Sequence, residues 1–480
     1  MYKSILSILF MAALNCNAQT NFTNHYNNGN QSITSNSVLQ NSDGTYLMAG
    51  RMDTLINASQ GFAGFIKKTD AAGNLLSTKY YAIPNTSGLE FRKIIKTMDD
   101  NYVVVGMIDH GCISGSTLQD VFISKIDTLG TMLWYKSYGD EITDLGVDVK
   151  ELSNGDLIIH SWFAKIDTNF TPYTAFHLIK TNSTGDSLWT RHYYHNDRVE
   201  QFAGSVVETS DGGFALAGSI NDQNGGLKGY IIKTNSLGIE QWNKTIDSTS
   251  GNYSELVSVY SNNGNFTVIG KVYGVSLENT IISNFNNSGS LNWTNTLYEN
   301  DVQVLSSTRS SDGGYALIGE TIDVVNPQPV IIKIDSSGNK LWRKNLVQLT
   351  HHYPTAIIQN IDTDFIITGN SVSYDPYSVF LAKTADSANM LNSLNTLASD
   401  AISVFPNPTT QFLNINSSKN DLMNIKVLKI INLQGQVMKS VEQPAILNGR
   451  LDISDLPSGN YLIALYHVDG NLNVLKMIKQ

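Results

Sequence analysis

The sequence predicts an all-β chain: a seven-bladed β-propeller closed by its own N-terminal strand, followed by a small immunoglobulin-like β-sandwich. Three observations predict it. A tight-turn cluster recurs with a period of about fifty residues, most copies carry a Trp four residues after a Gly, and the composition shifts after Thr384. The 480 residues hold 37 Gly and 22 Tyr but only 15% charged residues, too apolar for a disordered chain and too poor in helix formers for a helical one.

The repeat is clearest where Ser210-Asp211-Gly212-Gly213-Phe214-Ala215-Leu216-Ala217-Gly218 aligns with Ser311-Asp312-Gly313-Gly314-Tyr315-Ala316-Leu317-Ile318-Gly319. Weaker copies begin at Ser42, Asp99, Ser153, Asn262 and Asp362, giving seven in all. A second segment follows after a variable gap, as in Lys333-Ile334-Asp335-Ser336-Ser337-Gly338 with Trp342 beyond it. The same step joins Gly130 to Trp134, Gly185 to Trp189, Gly238 to Trp242 and Gly289 to Trp293, so five of the six Trp obey it. Ser77 takes the place in the first copy, and the seventh copy lacks the segment.

Each copy reads as four short antiparallel strands. The Asp-Gly-Gly cluster between apolar runs is a tight hairpin, and Asp-x-x-Gly is a longer one with Gly at its left-handed position. Sheets of four strands repeated in this way are propeller blades, which bury their faces only by stacking around an axis. The seventh copy lacks an outermost strand, while Phe22-Thr23-Asn24-His25-Tyr26 stands alone near the N-terminus and resembles Trp189-Thr190-Arg191-His192-Tyr193. The orphan strand is expected to complete the last blade and cover two sheet edges. The Trp residues read as packing wedges between blades, and Lys125/Asp127, Lys233/Asn235 and Lys333/Asp335 as turn devices.

At the N-terminus Lys3 precedes an uncharged apolar run, Ile5 to Leu14, too short to span a bilayer. It reads as a secretory signal peptide over residues 1–18, cleaved after Ala18. Lipidation of Cys16 competes, but Asn15 is a poor residue before a lipidated Cys. Cleavage leaves Cys112 alone, without a disulfide partner. The propeller is placed at 19–385 and a linker, with room for a helical turn, at 386–401.

Residues 402–480 form the last module. Val404-Phe405-Pro406-Asn407-Pro408, Leu433-Gln434-Gly435-Gln436-Val437, Leu456-Pro457-Ser458-Gly459-Asn460-Tyr461 and a closing strand with Lys476 are alternating runs broken by Gly and Pro, the pattern of a small β-sandwich. These motifs resemble the type A C-terminal sorting domain of the bacterial type IX secretion system. The resemblance implies a Bacteroidota-type source, export through the periplasm, interaction with the type IX machinery, and release or attachment to surface lipopolysaccharide. It marks Pro406, Asn407, Pro408, Gly435, Leu456, Pro457, Gly459, Tyr461 and Lys476 as sorting determinants, none catalytic.

Within the propeller no nucleophile elbow, His-Glu-x-x-His or phosphate loop occurs. His351-His352 and His192/His195 point to opposite faces of a strand, so no metal site and no cofactor is assigned. The segment Lys180 to Trp189 resembles the Trp-docking motif of quinoprotein dehydrogenases, but those have eight blades, and here the count is seven. A net charge of −10 disfavours nucleic acid as a partner.

The short hairpins should share one face, leaving variable loops on the other. Inter-blade loops there carry Asp140, Glu141, Asp144, Asp197, Glu200, Asp247 and Asp301, a candidate face for a cation or for a protein or glycan ligand, set against solvated surface acids. The reading is a secreted or surface-attached, non-enzymatic binding or adhesion scaffold. The alternatives are a secreted hydrolase or lyase acting on polysaccharide or protein, and a quinoprotein-like propeller.

Overall fold

In the computed structural model the chain divides into two compact units, Met1–Asp386 and Ser387–Gln480. The structure describes residues 22–386 and 402–480 apart from short stretches, namely 57–58, 114–115, 140–142, 167–171, 195–200, 222–225, 247–252, 274–277, 300, 323–326, 347–348, 350, 372–375, 406, 418–424, 433–436, 443–449 and 468–471. The signal segment and nearly all of the linker lie outside the described residues.

The first unit is all-β and propeller-like. Four-stranded antiparallel groups succeed one another over 33–81, 88–138, 143–193, 201–246, 253–297 and 302–345, each in chain order from an inner first strand to an outer fourth. The group over 352–384 supplies three strands, and its fourth is Phe22–Tyr26, antiparallel to Ser378–Thr384 with Phe22 opposite Lys383 and Tyr26 opposite Val379. No sheet closes on itself as a barrel. One departure from separate sheets is that the groups between 33 and 193 join into a single twelve-stranded sheet. The joints are two parallel bridges, Phe62 to Gly88 and Gln119 to Thr143, made where the long hairpins of Tyr46–Ile56 with Ser59–Thr69 and Tyr102–Ile113 with Ser116–Ile126 run past their neighbours.

The turns are those the glycines call for. Gly212 has φ +76° in the tight hairpin and Gly238 has φ +72° in the longer one, values that cost an L side chain strain. The Asn235 carboxamide accepts backbone N–H bonds from Leu237 and Ile239, both 3.0 Å, and the Asp335 carboxylate from Ser337 and Asn339, the Asx device that such residues provide. The repeated Lys reaches instead to the Asp of the neighbouring tight hairpin: Lys125 to Asp99 at 2.6 Å, Lys180 to Asp156 at 3.1 Å, Lys233 to Asp211 at 2.9 Å and Lys333 to Asp312 at 2.7 Å.

Every first strand of the unit carries a β-bulge at the same register. The residues left opposite nothing are Asn36, Arg92, Val147, Gly204, Val257, Leu305 and Thr355. The bulge presses an inner-strand carbonyl against the second strand, where a Cβ on Gly218 would lie 2.2 Å from Phe202 O and one on Gly319 2.3 Å from Gln303 O. Glycine is therefore a steric requirement here, repeated at Gly50, Gly106, Gly270 and Gly369.

Packing between successive groups buries aliphatic and aromatic side chains from both. Trp134, Trp189, Trp242 and Trp293 each lie over the turn glycine of the next group, Gly185, Gly238, Gly289 and Gly338. Phe22 does the same to Gly73, and Tyr26, Ile33, Phe65, Val379 and Leu381 share one core.

The second unit is a small sandwich of two sheets. One orders Ile402–Phe405, Phe412–Ser417 and Arg450–Asp452; the other orders Val437–Glu442, Ile425–Asn432, Gly459–His467 and Leu472–Lys479. Leu413, Leu428, Ile430, Ile463, Leu465 and Met477 are buried between them.

Candidate functional site

The bulges place side chains of unlike chemistry around a common depression. Asn36, Arg92, Val147, Leu305 and Thr355, with Glu320, Tyr353 and Pro354, line a hollow of about 440 Å³. All but Glu320 come from the first strands, which belong to five different groups, so the hollow marks where first strands approach one another. Its charge is organised around Glu90, which is buried. Arg92 Nε lies 3.2 Å from Glu90 Oε1 without hydrogen-bond alignment, Arg51 Nη1 lies 3.7 Å from Oε2, and Asn36 Nδ2 donates to Oε1 at 3.1 Å and to Phe91 O at 2.9 Å. Arg51 also meets Asp53 at 3.4 Å.

Further along the same strands Asp148 accepts from Val206 N at 3.0 Å and Ser205 Oγ at 3.2 Å, and pairs with Lys150 at 3.1 Å. Burial opposes its ionisation, but the Lys150 and Lys93 charges and these donors hold its carboxyl below the usual range. Burial, then the Lys150 charge, pushes Lys93 down. Tyr260 OH, Ser307 and Ser258 form a hydroxyl chain with 2.8 Å links.

Of the acidic residues expected on the loop face, Asp144 and Asp301 are among the described residues. Asp144 is 2% exposed. Asp301 is engaged by Arg343 in a bidentate pair at 2.7 and 2.6 Å, and hydrogen bonding to that guanidinium lowers its pKa. Asp140, Glu141, Asp197, Glu200 and Asp247 lie outside the described residues. Among the described residues no group of three or more His, Cys, Asp or Glu is disposed to hold a metal ion. The His residues meet across strands: His192 stacks on His177 with ring centroids 4.3 Å apart, and His352 Nε2 lies 3.5 Å from His25 Nδ1. His195 lies outside the described residues.

In the sandwich the Phe-Pro-Asn-Pro segment is laced to the last strand. Asn407 Nδ2 donates to Lys476 O at 2.7 Å and its Oδ1 accepts from Ile478 N at 2.8 Å, so one side chain satisfies two backbone groups of the strand edge. Thr409 N donates to Ile478 O and Gln480 N to Thr409 O, at 2.9 and 2.8 Å. Tyr461 is buried and its hydroxyl donates to Pro457 O at 2.8 Å, while Leu456 is buried beside it. Gly459 starts the Tyr461 strand, Pro408 and Pro457 are exposed, and Lys476 points to solvent. Pro406 and Gly435 lie outside the described residues.

Residues 403–480 match the family described as secretion system C-terminal sorting domain. This unit is a type IX sorting domain. The sorting domain implies secretion and an interaction with the type IX machinery. No helix among the described residues is long and apolar enough to cross a membrane.

No curated protein matches the chain. Among solved structures it is similar to the extracellular domain of the one-component system BT4673 from B. thetaiotaomicron, at 12% identity and a TM-score of 0.40 over 94% of this chain. The chain spans 58% of that protein's length. It is also similar to a catalytically inactive virginiamycin B lyase from Staphylococcus aureus with quinupristin, at 14% identity and 0.45, covering 76% of this chain and 99% of that one. YCF48 bound to D1 peptide follows at 10% identity and 0.44, covering 76% and 95%.

What sequence reasoning missed are the bulge residues. Asn36, Arg92, Val147, Leu305 and Thr355 share no side-chain type, so no alignment of the copies by residue similarity singles them out; the Gly opposite most of them is the trace they leave.

Proposed function

We propose that the chain is a secreted or cell-surface binding scaffold, its first unit a seven-bladed β-propeller closed by Phe22–Tyr26 and its sorting domain the export signal. Two features support the count and the closure. The bulge recurs once in each of seven inner strands. Beyond the strand pairing, residues 33–40 meet the 352–384 group directly: Ser35 N donates to Asn370 Oδ1 at 2.8 Å, Thr355 Oγ1 to Ser35 O at 2.7 Å and Ile361 N to Gln40 Oε1 at 2.9 Å.

The observation that carries the binding reading is the axial hollow, in whose wall Arg92 is paired with the buried Glu90. Glu90 is surrounded by Arg92, Arg51 and Asn36, which holds its side chain in place beneath the hollow. A rigid ring of strands presenting fixed, dissimilar side chains suits recognition. Screening the full chain against arrays of bacterial-surface and host glycans and against extracellular proteins tests this. The reading expects a ligand whose binding weakens at least tenfold on Arg92→Ala; turnover of a polysaccharide or protein substrate by the pure chain, abolished by Glu90→Gln, overturns it.

A further inference from the structure

Where the fourth strand of one group meets the face of the next, two aromatic rings commonly close the seam. Tyr193 packs with Tyr230 and donates to Gly238 O at 2.7 Å. Tyr81 packs with Phe122 and donates to Gly130 O at 3.0 Å, and the gap left there is about 40 Å³. At the seam between 201–246 and 253–297 both positions are aliphatic. Ile246 ends its strand opposite Gly229 as Tyr193 ends its own opposite Phe176, and Ile281 holds the register of Tyr230. The seam opens into a cleft of about 620 Å³.

The next seam shows that losing the Tyr does not suffice. Leu297 ends that strand, but Arg343 clamps Asp301 and Glu299 across the gap. The counterpart of Arg343, one residue past the Trp, is Thr294 in the open cleft. Two departures from the aromatic pattern, Ile246 and Ile281, thus meet at one seam, and among the described residues no guanidinium bridges it as Arg343 bridges the next.

The geometry points to this cleft as a binding site for a neutral, hydroxyl-rich ligand, a saccharide unit. Its lining includes Ile246 and Ile281, the Thr296 hydroxyl, the amide of Asn279, and the hydroxyls of Ser283 and Thr294, which bond to each other at 2.7 Å and keep acceptor capacity toward the cleft. Among the described residues the buried Asn279 Oδ1 has no hydrogen-bond partner, an acceptor whose desolvation a ligand O–H would offset. Tyr298 stands at the mouth, 75% exposed, as an amphipathic ring against which the apolar face of a sugar can lie. Among the described residues the lining includes no carboxylate and one cation, Lys244, a composition suited to a neutral ligand. The volume suits one or two sugar rings. The cleft shares no lining residue with the axial hollow, so the two readings stand or fall separately.

The test is saturation-transfer NMR and calorimetry of the full chain with the methyl glycosides of glucose, galactose, mannose, fucose and N-acetylglucosamine. At least one should bind with a millimolar or tighter constant. Ile246→Tyr, which restores the repeat's own ring, should weaken that binding at least tenfold while holding or raising the melting temperature. Tyr298→Ala, at an exposed position, should weaken it several-fold without changing the fold. Failure of all five glycosides to bind overturns the proposal, as does binding that neither variant alters.

Discussion

The Tyr26 hydroxyl donates to the Gly73 carbonyl at 2.5 Å, as Tyr193 does to Gly238 at 2.7 Å. The chain's first described strand thus engages 33–81 in the manner of an outer strand within the repeat. Burial, above all, raises the Tyr26 pKa, in keeping with a phenol that stays a donor. Tyr26→Phe should therefore cost about 0.5–1.5 kcal/mol, read as a modest fall in the urea midpoint. Deleting residues 22–26 also removes Phe22 from Gly73 and exposes the Ser378–Thr384 edge, and should lower the midpoint far more. Equal midpoints for wild type and deletion would contradict the placement.

The hairpin ion pairs give an asymmetric prediction. Lys233 is 0% exposed and its Nζ bonds both Asp211 oxygens, Thr234 O and Gln241 Oε1. Burial opposes ionisation of Asp211, but hydrogen bonds from Thr209 and Lys233 hold its carboxyl well below the usual range. Asp211→Ala strands a buried ammonium and should cost about 3–5 kcal/mol. Lys233→Met removes the charge with the need for it and should cost clearly less by the same urea titration.

Gly319 tests the bulge. A Cβ there would sit 2.3 Å from Gln303 O, a backbone atom that cannot swing aside. Gly319→Ala should cost roughly 1–3 kcal/mol, whereas an ordinary strand glycine would gain stability from the same change. The sign of the shift in the melting temperature decides it.

Acid should destabilise the first unit through two buried rings. Burial lowers the pKa of His160 to about 4, and burial with the nearby His192 and His160 lowers that of His177 to about 3. Among the described residues the His177 nitrogens have no hydrogen-bond partner. The unfolded chain takes up these protons near pH 6.5, so it binds more protons than the folded chain below that value. Stability is therefore full above pH 6.5 and falls as pH drops toward 4, by about 1.4 kcal/mol per pH unit for each ring. His177→Phe should flatten the dependence of the urea midpoint between pH 6.5 and 4.5; an unchanged slope would contradict it.

The sorting domain yields a cellular prediction. Removing residues 403–480 should leave the first unit in the periplasm, seen by fractionation. Asn407→Ala should lower the stability of the sandwich, because Lys476 O and Ile478 N each lose a partner. Lys476→Ala should leave stability unchanged, since that side chain is exposed.

The strand order of the repeats was legible because turn chemistry is local: Asp-Gly-Gly and Asp-x-x-Gly demand particular φ values wherever they fall. The orphan Phe22–Tyr26 was legible because its Phe and Tyr match the spacing of Trp189 and Tyr193. The hollow was not, since a bulge is a property of register between strands and any side chain can occupy it. The pairing of Lys233 with Asp211 was not legible for a similar reason. Asn235 is adjacent in sequence, but the strand fold-back brings Asp211 to the ammonium. Cleft formation at Ile246 is visible only once Tyr193 and Tyr230 are known to share one core.

The central claim is a ring of seven four-stranded blades latched by the chain's own start, and a crystal structure of the chain tests it most directly. The account predicts seven such sheets about one axis, with 22–26 hydrogen-bonded to 379–383. An eighth sheet, an open stack, or residues 22–26 paired elsewhere would contradict it.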